Sequence, residues 1–479
     1  MTAKLIPLGI YERRSIMTKK PTVLCALTPV LITSALLLLS SVRIHTSMHV
    51  ALIIGAAVAS VIGLSLGHRW ADLQKMMVNG ITTILPVIMI LILVGALMGI
   101  WIASGTVPAM VYYGLQLVGP QSFLPLAFLL CAGVSLSIGT AFGTTSTIGL
   151  AMLGVGQALG LPLPLVVGAI VSGVYFGDRL SPLGSALNTT AAVTETDVYQ
   201  TMRHMFATTV PPFLLALAFY TWQGGLLAGS GTAVTTGAFL REISLSFNLS
   251  PWLLLPPAAV ILLAARRLPS VPTLAIGAGL GAVTAAVWQR TPLATLFTAV
   301  QTGWHSDSSN AVVRQLLNRG GINSMVEVIT LLTIAMSFAG VLEGTGMLQA
   351  LLGPVLKRLR TVPQTVAGTA ALGTVVAMIG ANQALPLIVI GRSLREKYRE
   401  LGLPAESLAR ALLDSAGIIC PLIPWNLNGL FVNSMLGVAV TSYAPYAVFC
   451  WLLPLTTVAW SFFPRLMQTR AATRLGSPS

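Results

Sequence analysis

Apolar segments follow one another along the whole chain, from Val23 to Phe463, and short polar or basic connections separate them. Many of these segments approach the length of about 20 apolar residues that an α-helix needs to cross a bilayer. The length of the chain leaves room for ten or more such helices but for no large soluble domain. The pattern therefore predicts an all-α, polytopic membrane protein.

The predicted spans differ from shorter segments mainly in their uninterrupted apolar length. In chain order, full spans are predicted over residues 23–41, 50–66, 81–103, 206–222, 252–265, 271–288, 322–342 and 447–463. Shorter apolar segments are predicted at 107–118 and 348–356, and residues 70–79 are polar enough to lie at the membrane interface. A Gly/Ser/Thr-rich connection is predicted over 223–249, and a basic loop over 392–399.

Two segments combine apolar arms with a polar tip. Residues 124–138 and 148–159 flank a tip rich in glycine, threonine and serine, and residues 366–379 and 385–390 flank Gly380-Ala381-Asn382-Gln383. Half-length arms around a polar tip suggest a re-entrant hairpin, which is tolerated only where protein covers it. Two such hairpins are therefore predicted.

Two further apolar helices are interrupted by polar, proline-containing breaks. The first lies within Gly177-Asp178-Arg179-Leu180-Ser181-Pro182-Leu183-Gly184-Ser185-Ala186-Leu187-Asn188-Thr189-Thr190, and the second runs from Cys420 to Gly429. Hydrocarbon cannot satisfy the freed backbone groups, so such breaks must be buried in protein or line a water-filled cavity. Secondary transporters use broken helices of this kind to bind solutes near the bilayer midplane.

Composition agrees with a membrane protein and narrows its partners. Of 479 residues, 55% are hydrophobic and 8% are charged, far below the roughly 25% typical of soluble domains. The net charge of +14 comes from Lys and Arg in short loops and tails, a cytoplasmic signature rather than a nucleic-acid surface. Four isolated cysteines lie in apolar segments without metal or disulfide spacing.

The two halves of the chain carry matching landmarks. Gly80, Gly99 and Gly105 recur at one constant offset as Gly321, Gly340 and Gly346, and Asp178 and Pro182 have counterparts at Asp414 and Pro421. The same order of span, short segment, hairpin and broken helix recurs with these landmarks. We therefore predict an internal duplication.

The charge distribution predicts how the two halves are oriented. An odd number of crossings per half, about five, forces the second half to be inverted, and most basic loops and both tails then fall on one side. About ten full spans with both termini in the cytoplasm are predicted. The predicted divisions are a tail at 1–22, a first repeat at 23–224, a connecting loop at 225–250, an inverted repeat at 251–464 and a tail at 465–479.

Few of the thirteen acidic residues can lie deep in the membrane, and those that do are functional candidates. Asp178, Asp414 and Glu343 are the candidates for proton or ion exchange. Each has a structural alternative: Asp178 pairs with the neighbouring Arg179, Asp414 caps a cytoplasmic helix, and Glu343 marks the membrane edge. Glu327 has no basic partner nearby in sequence and could instead face a pore or an interface.

Uncharged polar groups cluster at the same breaks and tips. Hard cations such as sodium prefer oxygen ligands, and half-helix termini add carbonyl groups and positive ends. An isolated Ser or Thr would sooner bond to its own helical turn, but four clusters paired across a duplication point to ion or substrate binding. These candidate ligands are Thr144, Thr145, Ser146, Thr147, Arg179, Ser181, Ser185, Asn188, Asn382, Gln383, Asn426 and Asn428.

Five short motifs between Gly80 and Phe463 resemble the NhaC-type sodium/proton antiporter family of the ion transporter superfamily. They are Gly177-Asp178-Arg179-x-Ser181-Pro182-Leu183 with Asn188, Thr196-Asp197 leading to Arg203, Asn318-Arg319-Gly320-Gly321-x-x-Ser324-Met325, Glu343-Gly344-Thr345-Gly346-Met347-Leu348 and Pro421-Leu422-Ile423-Pro424-Trp425-Asn426. The resemblance implies sodium-linked antiport, in which relatives also exchange carboxylates or move amino acids. It further implies a dimeric, elevator-like scaffold.

The chain departs from the family pattern at both breaks. Where the family continues Ser-Pro-Leu with Ser-Asp-Thr-Thr-Asn, this chain has Gly184-Ser185-Ala186-Leu187-Asn188, and after the second break Leu427-Asn428-Gly429 replaces Thr-Cys-Gly. One carboxylate and several hydroxyl groups are thereby lost. Asp178 becomes the leading carrier of the proton, and a sodium site is predicted at Asp178, Ser181 and Asn188.

The main hypothesis is a secondary antiporter that exchanges sodium for protons across the cytoplasmic (inner) membrane, with both ions as cargo and no cofactor. The alternative is a sodium- or proton-coupled exchanger of a small carboxylate or amino acid, in which Arg179 and half-helix N-termini hold the carboxylate. A membrane scaffold or sensor would not need paired polar breaks, and no nucleophile, nucleotide or metal pattern predicts an enzyme.

Overall fold

The computed structural model describes residues 19–40, 48–227, 233–266, 268–308 and 311–463, and all regular structure within these ranges is helical. The first helices are α1 (Val23–Leu39), α2 (Met48–Ser65), α3 (Trp70–Thr82), α4 (Leu85–Ala103), α5 (Thr106–Leu117), α6 (Pro120–Ile138), α7 (Ala141–Thr144), α8 (Leu150–Ala158), α9 (Leu163–Leu180), α10 (Ser185–Thr194), α11 (Val198–Leu227) and α12 (Ala233–Ser246). A π-helical turn, Thr145–Gly149, joins α7 to α8. The predicted all-α class is confirmed.

The remaining helices continue the pattern of spans and breaks. They are α13 (Leu255–Ala265), α14 (Ser270–Val287), α15 (Leu293–Thr302), α16 (Ala311–Leu317), α17 (Asn323–Gly344), α18 (Met347–Arg358), α19 (Val362–Gly380), α20 (Ala384–Glu400), α21 (Ala405–Asp414), α22 (Ala416–Ile419), α23 (Leu427–Leu436), α24 (Val440–Tyr443) and α25 (Val448–Trp460). Short 3-10 turns lie at Pro251–Leu254, Cys420–Leu422 and Ala444–Tyr446.

Eight helices in the described ranges are long and apolar enough to cross a membrane: α2, α4, α6, α9, α11, α14, α17 and α19. Three bent helix pairs raise this number to as many as eleven. One of them joins the segment that contains α21 to α23 at a bend of 44°. The protein is therefore a multi-pass membrane protein, with a number of spans that brackets the predicted ten.

The first arms of the two predicted hairpins are longer than the sequence suggested. Helices α6 and α19 have 19 residues each, or about 28 Å, so the expectation of half-length first arms was wrong. Pro120 and Pro363 stand in the first turn of their helices, where proline is favourable. A capping box between Thr361 and Gln364 also fixes the start of α19 at Val362, before the predicted start at residue 366. Whether these segments re-enter the membrane stays a prediction.

Two predicted loops are largely helical. The basic stretch 392–399 was predicted as a loop, but it forms the end of α20, where Lys397 and Arg399 favourably face the negative end of the helix dipole. Most of the connection 223–249 lies in the end of α11 and in α12, and residues 228–232 lie outside the described residues. The five predicted divisions of the chain stay predictions; most of the predicted tail 1–22 and all of the predicted tail 465–479 lie outside the described residues.

Glycines let the helices α3 and α4 approach α17 closely. The N–H group of Gly321 donates to the carbonyl oxygen of Gly95 at 2.8 Å. A Cβ atom at Gly80 would lie 2.1 Å from the Met336 carbonyl oxygen and 3.2 Å from the Cα atom of Gly340. The end of α3, at Gly80, thus meets the end of α17, and the second half of α4 meets the start of α17, so residues 80–103 and their matched segment 321–344 run antiparallel. An inverted duplication requires this arrangement.

The first broken helix lies where the two halves meet. Helix α9 packs against α6 and α25, and α10 packs against α20 and α21 of the second half. Of the 18 residues of α9, 83% are buried, whereas the other single-helix spans are 33% to 61% buried. The polar residues at the end of α9 are therefore enclosed by protein rather than by lipid.

Candidate functional site

The tip between α6 and α7 is seated against the break that follows α9. Gly139 adopts a left-handed conformation (φ 74°), and a Cβ atom there would lie 2.6 Å from the Cβ atom of Leu183 and 2.9 Å from the hydroxyl oxygen of Ser181. Helix α9 ends at Leu180, because the chain becomes extended at Ser181 (φ −73°, ψ 129°) before Pro182. Only glycine fits at the tip, so this contact places α7 beside Asp178.

Asp178 is 4% exposed and makes no ion pair with any residue that the structure describes. Its Oδ1 atom accepts a hydrogen bond of 3.0 Å from the backbone N–H of Ala141, at the positive end of the helical stretch that begins with α7. The side chain of Gln383, from the second tip, also interacts with this carboxyl group. The structural alternative of an Asp178–Arg179 pair is wrong.

Arg179 instead pairs with Asp414, and both side chains are buried (1% and 0% exposed). The guanidinium group also donates to the hydroxyl group of Thr209. Asp414 accepts two further hydrogen bonds, from the hydroxyl groups of Thr208 at 2.6 Å and Thr457 at 2.7 Å. The interpretation of Asp414 as a cytoplasmic helix cap is therefore wrong. This ion pair joins α9 to α21, with hydroxyl groups from α11 and α25.

The second tip and the second break contact each other in a similar way. The backbone N–H of Leu427 donates to the carbonyl oxygen of Ala381 at 2.7 Å, and the amide group of Gln383 donates to the carbonyl oxygen of Gly417 at 2.6 Å. Asn426 caps α23 by accepting from the N–H of Asn428 at 3.1 Å. Asn428 in turn accepts from the hydroxyl group of Tyr175 on α9 at 2.9 Å. Both tips therefore converge on the end of α9.

The hydroxyl groups of the first tip are buried, and most bond to their own helix. Thr144 donates to the Thr140 carbonyl oxygen at 2.9 Å, and Ser146 and Thr147 donate to carbonyl oxygens one turn earlier. The sequence interpretation gave such bonding a smaller role than the structure does. Thr145 is 1% exposed and opens the π-helical turn, a feature that is common at functional sites.

Two of the predicted ligands on α10 are exposed, unlike Asp178. Ser185 lies on the exposed side of α10, and Asn188 donates to the carbonyl oxygens of Pro182 at 2.9 Å and Gly184 at 2.8 Å. Asn188 makes no hydrogen bond to Asp178 among the described contacts, and its two observed hydrogen bonds stabilise the break; its role as an ion ligand stays a prediction. Ser181, in contrast, is fully buried beside the first tip.

Glu343 lies away from the buried acids, at the edge of a cavity of about 430 Å³. Asn382 of the second tip lines the same cavity, and it caps α20 by accepting from the N–H of Leu385 at 2.8 Å. The structure thus groups Glu343 with Asn382, one residue from Gln383, rather than with Asp178 and Asp414. Glu327 is exposed near the start of α17.

Sequence reasoning missed the partners that complete the site. Thr208, Thr209 and Thr457 hold the ion pair, and Tyr175 connects α9 to the second break. Adjacent threonines within apolar spans were the available signal, since a hydroxyl group in a span gains most from a buried charge. The backbone N–H of Ala141 has no sequence signal of its own.

The arrangement provides one uncompensated carboxylate and one compensated ion pair, side by side. A buried carboxylate without a counter-charge is costly, and binding a proton or a cation removes that cost. The carboxylate of Asp178, the hydroxyl group of Ser181 and the carbonyl groups of the break are oxygen donors of the type that sodium prefers. The site can therefore alternate between two positively charged occupants.

Comparison with known proteins places these residues in a family. A model of the Na+/H+ antiporter family matches residues 173–464, which include both breaks and the second tip. The Na+/H+ antiporter NhaC of Alkalihalophilus pseudofirmus is 34% identical over 447 residues, covering 93% of this chain and 96% of that protein. The NhaC antiporter of Bacillus subtilis is 32% identical over 88% of this chain and 93% of its own length.

Other relatives of similar identity have different names. The malate-2H+/Na+-lactate antiporter of Bacillus subtilis is 33% identical over 87% of this chain and 89% of its own length. The arginine/ornithine antiporter ArcD of Halobacterium salinarum is 32% identical over 93% of this chain and 92% of its own length. The resemblance that the motifs carried is confirmed, and this chain belongs to the Na+/H+ antiporter family.

Proposed function

We propose that this protein is a secondary antiporter that exchanges sodium ions for protons across the cytoplasmic membrane, with Asp178 as the exchanging carboxylate. One observation carries the proposal: Asp178 is buried and lacks a counter-charge among the described residues, whereas its neighbour Arg179 is neutralised by Asp414. A carboxylate in this setting binds a proton or a sodium ion but not both. Competition for one site couples the two fluxes.

The arrangement gives the other candidate residues distinct roles. The pair of Arg179 and Asp414 acts as a fixed structural element, since both charges are already satisfied by protein. Ser181 and the backbone of the first break supply further oxygen ligands, and Asn188 maintains the break. The hydroxyl groups of the first tip and the amide groups of Gln383, Asn426 and Asn428 hold the two tips beside the cargo.

The proposal includes several finer expectations about the whole protein. The cargo is Na+ and H+ with no cofactor, the protein does not act as an enzyme, and it works as a homodimer in the inner membrane. Both termini lie in the cytoplasm, because the basic loops then fall on the side where short loops carry excess Lys and Arg. These features belong to the proposal.

Sodium-driven proton flux in proteoliposomes tests the assignment of Asp178. In Asp178→Asn the exchanging carboxyl group is replaced by an amide that cannot release a proton, so we expect flux to fall to the level of empty vesicles. Asp178→Glu keeps a carboxyl group and should retain exchange with a changed sodium dependence. Asp307→Asn, at an exposed position, is the matched control and should transport normally.

Retained coupled flux in Asp178→Asn would refute the assignment. A labelled panel of malate, lactate, arginine and ornithine, offered with and without a sodium gradient, tests the second candidate cargo. The names of two relatives motivate this panel. In the described structure both terminal nitrogens of Arg179 already donate hydrogen bonds, one to Asp414 and one to Thr209, which disfavours an ion pair with a substrate carboxylate. Uptake of a labelled carboxylate or amino acid above the level of empty vesicles would favour that second cargo.

A further inference from the structure

The cavity beside Glu343 lies between the α3–α17 crossing on one side and the start of α20 on the other. One side is formed by Asn79 of α3, by Thr83 directly after α3 and by Met336 of α17. The start of α20 contributes Ala384 and Leu385 to the other side. Its volume of about 430 Å³ has room for on the order of ten water molecules. Helices α3 and α17 cross through glycines, so that wall is closely packed.

The inner part of this cavity ends one residue away from a contact of the proposed exchange site. Asn382 lines the cavity, and the next residue, Gln383, interacts with the carboxyl group of Asp178. The amide oxygen of Asn382 accepts from the Leu385 N–H, which fixes the orientation of the amide group. Its nitrogen then faces the sulfur of Met336 at 3.1 Å, a weak acceptor. A buried donor with so poor a partner indicates that the protein alone does not complete the bonding at this point.

The charge at the outer part of the cavity favours a cation. Glu343 stands in the last turn of α17, where the helix dipole disfavours a negative charge, and it makes no ion pair with a described residue. A carboxylate that only marked the membrane edge would be equally stable facing away from the cavity. Placed on the lining, it raises the local concentration of cations.

The opposite end of α17 has a different electrostatic character. A second cavity of about 490 Å³ is lined there by Ser324, Arg319 and His305, with no carboxylate among its lining residues in the described part of the chain. With 22 residues, α17 is about 33 Å long, so the two cavities lie near opposite faces of the membrane. The cavity beside Glu343 adjoins a groove lined by Lys19 and Lys20, on the face where the basic loops are predicted to lie.

We propose that the cavity between α3, α17 and α20 is a water-filled passage through which monovalent cations reach Asp178 from the cytoplasmic face, with Glu343 concentrating them at its mouth. This inference rests on the proposed function for the identity of the cargo. The passage assigns Asn79 and Thr83 to the cation route, in addition to Glu343 and Asn382. It also assigns the described conformation to the inward-open state of the transport cycle.

Thiol labelling tests the passage without measuring transport. The background has the four native cysteines replaced by serine. Thr83→Cys in a water-filled passage can ionise and should react with a membrane-impermeant cationic thiol reagent. Because the passage opens to the cytoplasmic face, we expect the reaction in inverted vesicles but not in right-side-out vesicles. Thr330→Cys is the matched control: like Thr83 it is exposed, and it stands on α17, which forms one wall of the cavity, but Thr330 does not line the cavity. We expect it to stay unlabelled from either side.

A second substitution tests the role of Glu343. Glu343→Gln in the Thr83→Cys protein should slow the cationic reagent about three- to tenfold and leave a neutral thiol reagent of similar size unaffected. Ala384→Cys on the opposite wall repeats the test if Thr83→Cys does not fold. Lack of reaction at both cavity positions, reaction only in right-side-out vesicles, or equal rates with Glu343→Gln would overturn the proposal. Labelling is independent of flux, so failure of sodium/proton exchange would leave these results interpretable.

Discussion

Asp178 and Arg179 are adjacent in the chain but have entirely different partners in the fold. The charge of Arg179 is balanced by Asp414 from the other half of the chain, whereas Asp178 meets a helix N-terminus and an amide side chain. Sequence reasoning treated Asp178 and Asp414 as equivalent, because they occupy matching positions in a predicted repeat. Which carboxylate meets the arginine depends on how α9 and α21 pack, and no local pattern encodes that packing.

The Arg179–Asp414 pair predicts a large effect on stability. Asp414→Asn leaves a buried guanidinium group without its counter-charge, so we expect a loss of about 3–5 kcal/mol and a clearly lower unfolding temperature of the protein in detergent. Combining it with Arg179→Gln removes both charges and should recover part of the loss. Glu400→Gln breaks the exposed pair with Lys397 and should cost less than about 1 kcal/mol.

Equal unfolding temperatures for Asp414→Asn and Glu400→Gln would contradict the structural role of the buried pair. A double variant less stable than Asp414→Asn alone would also contradict it, since the cost would then come from lost packing rather than from an unpaired charge. Such a result would leave room for a direct role of Arg179 with a substrate carboxylate.

At the level of helices, hydrophobic runs predicted most elements correctly but placed several ends wrongly. The spans around α2, α14 and α17 were found within a few residues, because long apolar runs have few alternative folds in a bilayer. Errors arose where apolar character ended before the helix did, as in the basic end of α20. Capping and helix-dipole interactions, rather than hydrophobicity, fix those ends.

The sequence located the candidate site through its breaks but did not predict the contacts within it. Proline and glycine in Ser181-Pro182-Leu183-Gly184 gave a local signal, so the break after α9 could be predicted from sequence. The hydrogen bonds of Thr208 and Thr457 to Asp414 join residues that are far apart in the chain. A single sequence carries no information about such pairs beyond the presence of polar groups in apolar spans.

The crossing of α3 and α17 provides a prediction at this scale. A methyl group at Gly80 would collide with the Met336 carbonyl oxygen at 2.1 Å, so the two helices would have to separate. We expect Gly80→Ala to destabilise the protein by about 1–3 kcal/mol in thermal unfolding. Gly353→Ala is the control: it lies within α18 with no atom near the added methyl group, and it should stabilise by up to about 1 kcal/mol.

Similar effects of the two alanine substitutions would show that helix propensity, and not close backbone approach, determines the outcome at Gly80. Transport by Gly80→Ala offers a second measurement, since the α3–α17 wall also lines the proposed cation passage. A separated wall should change the labelling rate at Thr83→Cys as well.

For the molecule as a whole, the antiparallel contacts of matched segments favour an inverted duplication. Gly80 meets Gly340 at one end of α17, and Gly95 meets Gly321 at the other. The matched helix starts behave alike: Gly105 and Gly346 both adopt left-handed conformations at the N-termini of α5 and α18. Gly105 lies beside Gln289, whereas Gly346 lies beside Pro21. Equivalent positions therefore face different ends of the molecule.

An inverted duplication predicts which face of the membrane each exposed loop occupies. Arg290 follows α14 near the Gly105 end, and Arg358 ends α18, the helix that begins at Gly346. In the inverted arrangement, Arg290 lies on the face opposite the basic loops. In the cysteine-free background, Arg290→Cys should therefore react with an impermeant maleimide in intact cells. Arg358→Cys should react only in inverted vesicles. Both positions are exposed. Labelling of both cysteines from the same face of the membrane would rule out the inverted arrangement. It would also rule out the assignment of the cavity beside Glu343 to the cytoplasmic face.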